Sequence, residues 1–217
     1  MRDGRSRHAG GTRPAASIAA CTLGALWLVA CPTPLPPPPA PAPPPPEAVA
    51  PSPPPPCERA EALEVRKSER RLLVHCVGGA LLEVPIALSR EPFGAKRERG
   101  DDRTPEGEYH IAGHPRPSRF HLFVPIDYPS IEDADHALRE GRISRRAHDA
   151  ILRAQRRGHM PPQDTPLGGY LGFHGEGPRW RGDLDINWTL GCFAMSDEWI
   201  ERLVRLAPNG TPVRILP

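Results

Sequence analysis

Metal-ligand spacing is missing from this 217-residue chain. It holds nine His and five Cys, yet no His-x-x-His and no Cys-x-x-Cys. Asp183, Asp185 and His174 could suggest a metal site, but no paired ligand spacing supports one, so neither zinc nor any other cofactor is expected. An excess of charge is missing too. The formal net charge is +2, and the first 30 residues carry Arg2, Arg5, Arg7 and Arg13 against Asp3, so the remainder is near neutral. Such a balance gives no electrostatic case for nucleic acid as a partner. A long apolar run is absent as well: residues 15–30 are mostly apolar or small, short of the roughly 20 residues that a spanning helix needs.

What those first 30 residues do resemble is a secretory signal, an arginine-bearing start followed by a short apolar stretch. Its end, Leu28-Val29-Ala30-Cys31, resembles a bacterial lipobox, which implies cleavage before Cys31 and lipidation of that cysteine. The alternative is an ordinary signal peptide with a chance cysteine after Ala30. Cys21 is discarded in either case. The expected address is the cell envelope, with a lipid anchor in the membrane and the domain on the periplasmic face. Residues 31–57 then form a linker that is more than half proline and contains three Pro-Pro-Pro-Pro runs. Proline cannot donate the hydrogen bonds of helix or sheet, so this segment reads as polyproline II, up to roughly 75 Å long at about 3.1 Å per residue. It is either a spacer of set length or a linker with no length requirement.

Residues 58–217 are enough for one domain with a sizeable core. Short apolar runs at 62–66, 72–76, 81–88, 107–112, 120–126, 169–173 and 211–216 predict strands and a mainly β fold. Residues 131–140 and 144–157 break the pattern: Ala147, Ile151 and Leu152 fall near helical spacing, Ser144 marks a start, and Gly141 and Gly158 mark stops. A helical pair inserted between strands is therefore expected, serving as structural cover or as one wall of a groove. Cys57 and Cys76 flank the first hairpin closely enough to bridge, or remain two thiols.

The chemistry concentrates in His174-Gly175 and, eighteen residues after the histidine, Cys192 at the end of Thr189-Leu190-Gly191-Cys192. Histidine is the base available near neutral pH, and cysteine is the strongest uncharged nucleophile. Glycine before the cysteine permits a tight backbone approach, so the Gly191 and Cys192 amides could face a substrate carbonyl. Trp188 reads as groove wall or core. Asp101, Asp102, Arg103 and Thr104 read as a substrate loop or as ordinary turn chemistry. The remaining histidines, His148 among them, lie mostly in turns or in the helical insert and are expected at the surface.

Three stretches together resemble one family, the L,D-transpeptidases of the YkuD type. They are Gly94-Ala95-Lys96 with residues 100–109, residues 167–175 around His174, and Trp188-Thr189-Leu190-Gly191-Cys192-Phe193-Ala194-Met195. The branch with Trp-Thr-x-Gly-Cys fits best. The resemblance implies a β-sandwich or barrel catalytic domain with core 62–216 and a helical insertion at about 131–157. It also implies an activity on peptidoglycan stem peptides: Cys192 as nucleophile, His174 as general base and acid, the Gly175 carbonyl orienting His174, Gly191 in the oxyanion hole, and Trp188 and Thr189 touching substrate. The acyl-enzyme would pass to an amine, giving transpeptidation, or to water, giving hydrolysis. A wall-binding lipoprotein with a retired site and a sortase are the remaining alternatives. Many family members carry His and Arg where this chain has Leu190 and Ala194, which leaves carboxylate binding and the acyl acceptor open.

Overall fold

A computed structural model describes residues 56–179 and 186–217. Residues 1–30, expected to form a secretory signal, Cys31, nearly all of the proline-rich segment, Asp183 and Asp185 lie outside the described residues. Alternation builds the first hairpin. In β1 (Ala60–Arg66) Leu63 and Val65 point to the core, and they pair with Val74 and Leu72 of the antiparallel β2 (Arg71–Cys76). β3 (Leu81–Pro85) continues the meander beside β2. The carboxyl-terminal β9 (Pro212–Leu216) lies parallel to β1 on its other side, and β4 (Gly107–His110) closes the sheet antiparallel to β9. The order is β3-β2-β1-β9-β4.

A second sheet, β5-β6-β7-β8, carries the residues of interest. β5 (Arg116–Ser118) and β6 (His121–Pro125) form a hairpin, β7 (Gly172–His174) is antiparallel to β6, and β8 (Phe193–Ala194) is parallel to β7. Residues 86–90 stitch the two sheets together. Ala87 exchanges both backbone bonds with Ala194, and Arg90 N–H donates to Thr189 O at 3.0 Å. The strand expected at 81–88 therefore stops at Pro85 and crosses to the second sheet. The strand expected at 120–126 is likewise the far arm of a hairpin whose near arm, β5, has Pro117 at its centre and lies at the sheet edge, where a missing N–H is tolerated.

The helical pair falls between β6 and β7. α1 (Ile131–Arg139) starts on a capping box, in which Ser130 Oγ accepts from Asp133 N–H and the Asp133 carboxylate accepts from Ser130 N–H. α2 (Arg145–Arg156) starts at Ser144, whose hydroxyl accepts from Ala147 N–H. Ala134, Ala137 and Ile151 sit fully buried in the common core. His148, expected at the surface, is instead buried. Its ring bonds Asp135 at 2.6 Å and Asp149 at 3.0 Å, so it clasps α1 to α2, and the two carboxylates raise its pKa above the ordinary value. One helix was not foreseen. α3 (Asp197–Leu206) is capped by Ser196, whose hydroxyl accepts from Trp199 N–H, and buries Ile200, Leu203 and Leu206.

Cys57 and Cys76 are joined as a disulfide with 5.5 Å between Cα atoms, anchoring the chain just ahead of β1 to the end of β2. The bridge closes a loop of sequence separation 19, for which loop entropy gives about 3 kcal/mol. Replacing both cysteines by serine should lower the unfolding free energy by about that amount in urea titrations. An unchanged midpoint would show that the bridge adds nothing.

Candidate active site

His174 and Cys192 come together because β7 and β8 pair in parallel. Phe173 is opposite Phe193, and His174 is opposite Ala194. Side chains alternate along a strand. Phe173 and Phe193 therefore turn into the core, where their rings stack at 5.0 Å, while His174, Ala194 and the preceding Cys192 share the other face. Truncating either buried ring to alanine would remove about 3–5 kcal/mol, so the pairing rests on a strong contact.

The backbone around the cysteine is held by its own motif. Thr189 is buried, and its hydroxyl donates to Cys192 O at 2.6 Å. Gly191 N–H is directed at Thr189 Oγ1, at 3.4 Å, so in this conformation the amide expected to face an oxyanion is turned to its own motif. Gly191 has φ 124°, and a Cβ there would lie 2.8 Å from Arg103 O and 2.9 Å from Leu171 Cδ2. Only glycine fits. Arg103 belongs to the Gly-Asp-Asp-Arg-Thr-Pro segment, which thereby acts as the floor under the cysteine turn. Asp101 organises that floor: its carboxylate accepts from Lys96 Nζ at 2.7 Å and from the amides of Arg97, Glu98 and Arg103. Burial pushes Asp101 upward, but Lys96 and the amides outweigh it and hold the carboxyl below its ordinary value. Of the two readings of residues 101–104, the structural one describes what is seen.

His174 is buried, stacked on Phe120 at 4.7 Å and met edge-on by Trp188 at 5.4 Å. Its Nδ1 lies 2.7 Å from Gly175 O, which fixes the tautomer with Nδ1–H donating and leaves Nε2 as the basic nitrogen. Desolvation lowers the imidazole pKa, the Gly175 carbonyl partly restores it, and Arg119 lowers it further, so the ring is neutral at neutral pH. Cys192 is half-buried, with its thiol directed at Tyr170 O, 3.6 Å away. Burial pushes that thiol up to about 11, against the smaller downward pulls of the Gly172 backbone and Lys96. The resting state is thus neutral thiol and neutral imidazole, an arrangement able to pass a proton from sulfur to Nε2 as a bond forms at sulfur. Tyr170 holds its carbonyl there from a left-handed backbone, φ 57°, anchored by Gln163, which accepts its N–H at 2.6 Å.

Both groups open onto a cavity of about 790 Å³. Among the described residues it is lined by Arg90, Ser118, Arg119, Phe120, Phe123, Tyr170, His174, Pro178, Ile186, Trp188, Thr189, Leu190 and Cys192. Of the two places open to Trp188, groove wall or core, it takes the half-buried groove wall. No residue of α1 or α2 is in that lining, so the helical pair is cover. Two guanidinium groups and no described carboxylate face the cavity. Ala194 is fully buried against Ala87, so the cations here come from other elements than the one after the cysteine. Among the described residues no three His, Cys, Asp or Glu side chains group as a metal site. Sequence reading missed Arg90 and Arg119, which carry no motif, and it missed Asp197, whose carboxylate accepts the amides of Glu176 and Gly177 just after the histidine.

Residues 60–215 match the YkuD family, the L,D-transpeptidase catalytic domain. No curated protein matches. Among solved structures, Bd1075 of Bdellovibrio bacteriovorus is 18% identical with a TM-score of 0.44, over 73% of this chain and 48% of that one. The helical cell shape determining protein Pgp2 of Campylobacter jejuni is 18% identical with a TM-score of 0.49, over 72% and 47%. An L,D-transpeptidase of Mycobacterium smegmatis is 13% identical with a TM-score of 0.43, over 73% and 59%. The chain thus spans about half the length of the first two.

A neutral resting pair has a measurable consequence. Alkylation of Cys192 by iodoacetamide in the unliganded protein should rise with pH toward the thiol's value of about 11, since only thiolate reacts. An inflection below pH 8, read by mass spectrometry of the labelled peptide, would instead indicate a preformed thiolate.

Proposed function

Because the chain belongs to the YkuD family of L,D-transpeptidase catalytic domains, we propose that it is an envelope-anchored peptidoglycan L,D-transpeptidase in which Cys192 is the nucleophile. The observation that carries this reading is one cavity holding a half-buried thiol and a neutral imidazole whose Nδ1–H is already committed to Gly175 O. Sγ adds to the acyl carbonyl of a stem peptide while His174 Nε2 takes the thiol proton. The carbon–nitrogen bond then breaks, and His174 returns the proton to the leaving amine. A second amine attacks the thioester, its proton passes to His174, and the sulfur leaves to regain that proton as thiol. Every step moves one proton through one nitrogen. Lipidation at Cys31 would keep this domain at the membrane and deliver it to the wall across the proline-rich segment.

A stem peptide carries carboxylates, and Arg119 and Arg90 supply the cavity's positive charge. Arg119 is exposed, packs over the Phe120 ring at 4.7 Å, and forms no ion pair among the described residues. Its guanidinium is therefore available for a carboxylate fork. Arg90 is already partly engaged, its Nη1 3.9 Å from Asp102 Oδ2.

Incubation of the protein with tetrapeptide muropeptides and an amine acceptor tests the reading. A cross-linked product is expected, and it should be lost in Cys192→Ala with folding intact. Shortened peptide without cross-link would assign the acyl group to water, and no acylation by muropeptide or carbapenem would leave a wall-binding role. Arg119→Ala should raise KM for the anionic donor by about 10-fold, equivalent to about 1.4 kcal/mol, with kcat little changed. The same variant should make no difference with a donor whose carboxylates are amidated; an equal effect on both donors would remove the guanidinium from recognition.

A further inference from the structure

The carbonyl that orients His174 belongs to a peptide group gripped at its other edge. Gly175 O lies 2.7 Å from His174 Nδ1. The N–H of that same peptide unit, at Glu176, donates to Asp197 Oδ1 at 2.9 Å, and the next N–H, at Gly177, donates to the same oxygen at 3.1 Å. The unit has little freedom to turn. A Cβ on Gly175 would collide with Asp197 Oδ1 and lie 2.7 Å from Phe120 O, so the carboxylate and the β5–β6 turn enclose it from two sides.

We infer that Asp197 is a positioning residue which acts on His174 through the Gly175–Glu176 peptide unit. The chain of contacts runs from imidazole N–H to carbonyl, through one amide, to a carboxylate. An acid thus reaches the histidine without touching it. The Gly175–Glu176 unit is held by one hydrogen bond at each end, His174 on its carbonyl and Asp197 on its N–H, and the adjoining Gly177 N–H shares the same carboxylate oxygen, which limits rotation of the plane. The usual task of an acid in the first turn of a helix is to complement the helix dipole. Asp197 is in that position, but Ser196 already caps α3 and Glu198 supplies a second first-turn acid. Asp197 instead hydrogen-bonds outward, to the histidine loop.

This inference rests on His174 serving as the base of the proposed reaction, but its primary test does not require turnover. In the full-length protein, nitrogen-15 labelled, the His174 Nδ1 proton should give a downfield resonance shielded from exchange with water. Asp197→Asn keeps an acceptor oxygen for the two amides and should retain that resonance and near-wild-type acylation by a carbapenem. Asp197→Ala should lose the resonance to exchange and slow acylation by about 100-fold, the scale of a misplaced catalytic group. Asp197→Glu, which keeps charge but moves the oxygen, should resemble alanine and serves if the alanine variant does not fold. Retention of both resonance and rate in a folded Asp197→Ala or Asp197→Glu protein would overturn the inference. A resonance that follows this order in a protein that is never acylated would uphold the positioning and reject the transpeptidase reading instead.

Discussion

The parallel pairing of β7 with β8 is the constraint on which the site depends. It is only two residue pairs long, and backbone hydrogen bonds alone would be a weak tether for it. Phe173 stacked on Phe193 beneath the pair gives it an apolar anchor, and Ala87 bonded to Ala194 on the outer side removes an open edge. Once that register is set, strand alternation leaves little choice. The two phenyl rings face the core, and His174 and Cys192 must share the opposite face. A slip of one residue would send the histidine into the core and a phenylalanine to the cavity.

Around this pairing, the supporting parts hold backbone more than side chains. Arg103 O stands under Gly191, Thr189 ties the cysteine's own carbonyl, Tyr170 presents a carbonyl to the thiol, and Asp197 holds the peptide that faces His174. Burial then sets the electrostatics. Desolvation raises the thiol and lowers the imidazole, so both are neutral at rest. Arg119, packed over the Phe120 ring on which His174 stacks, adds to the same downward bias on the imidazole.

Much of this was legible in the chain, unevenly. The helical pair was readable because its boundaries are made locally: Ser130 with Asp133, Ser144, and the glycines at 141 and 158 act on residues three or four positions away. The hairpin of β1 and β2 was readable for the same reason. β8 is two residues long and has no period to show, and β5 hides behind its proline. α3 carries a local start signal of the same kind, Ser196 with two acids ahead of Trp199, Ile200, Leu203 and Leu206. His148 looked like a surface residue because its partners, Asp135 on one helix and Asp149 on its own, close around it only when the helices pack.

The sequence by itself determined the chemical inventory: a histidine, a glycine-cysteine turn, the segment around Asp101, and the local caps of α1 and α2. These are properties of single residues and of neighbours within a few positions, where bonding is decided by covalent spacing. The tertiary structure alone decided what surrounds that inventory. Trp188 is wall, the helical insert is cover, Gly191 faces Thr189, Arg119 stands over Phe120, and Asp197 reaches the back of the Gly175 peptide. Each of those outcomes depends on elements far apart in the chain meeting at a fixed register, and burial, which sets the protonation of His174 and Cys192, exists only after they have met.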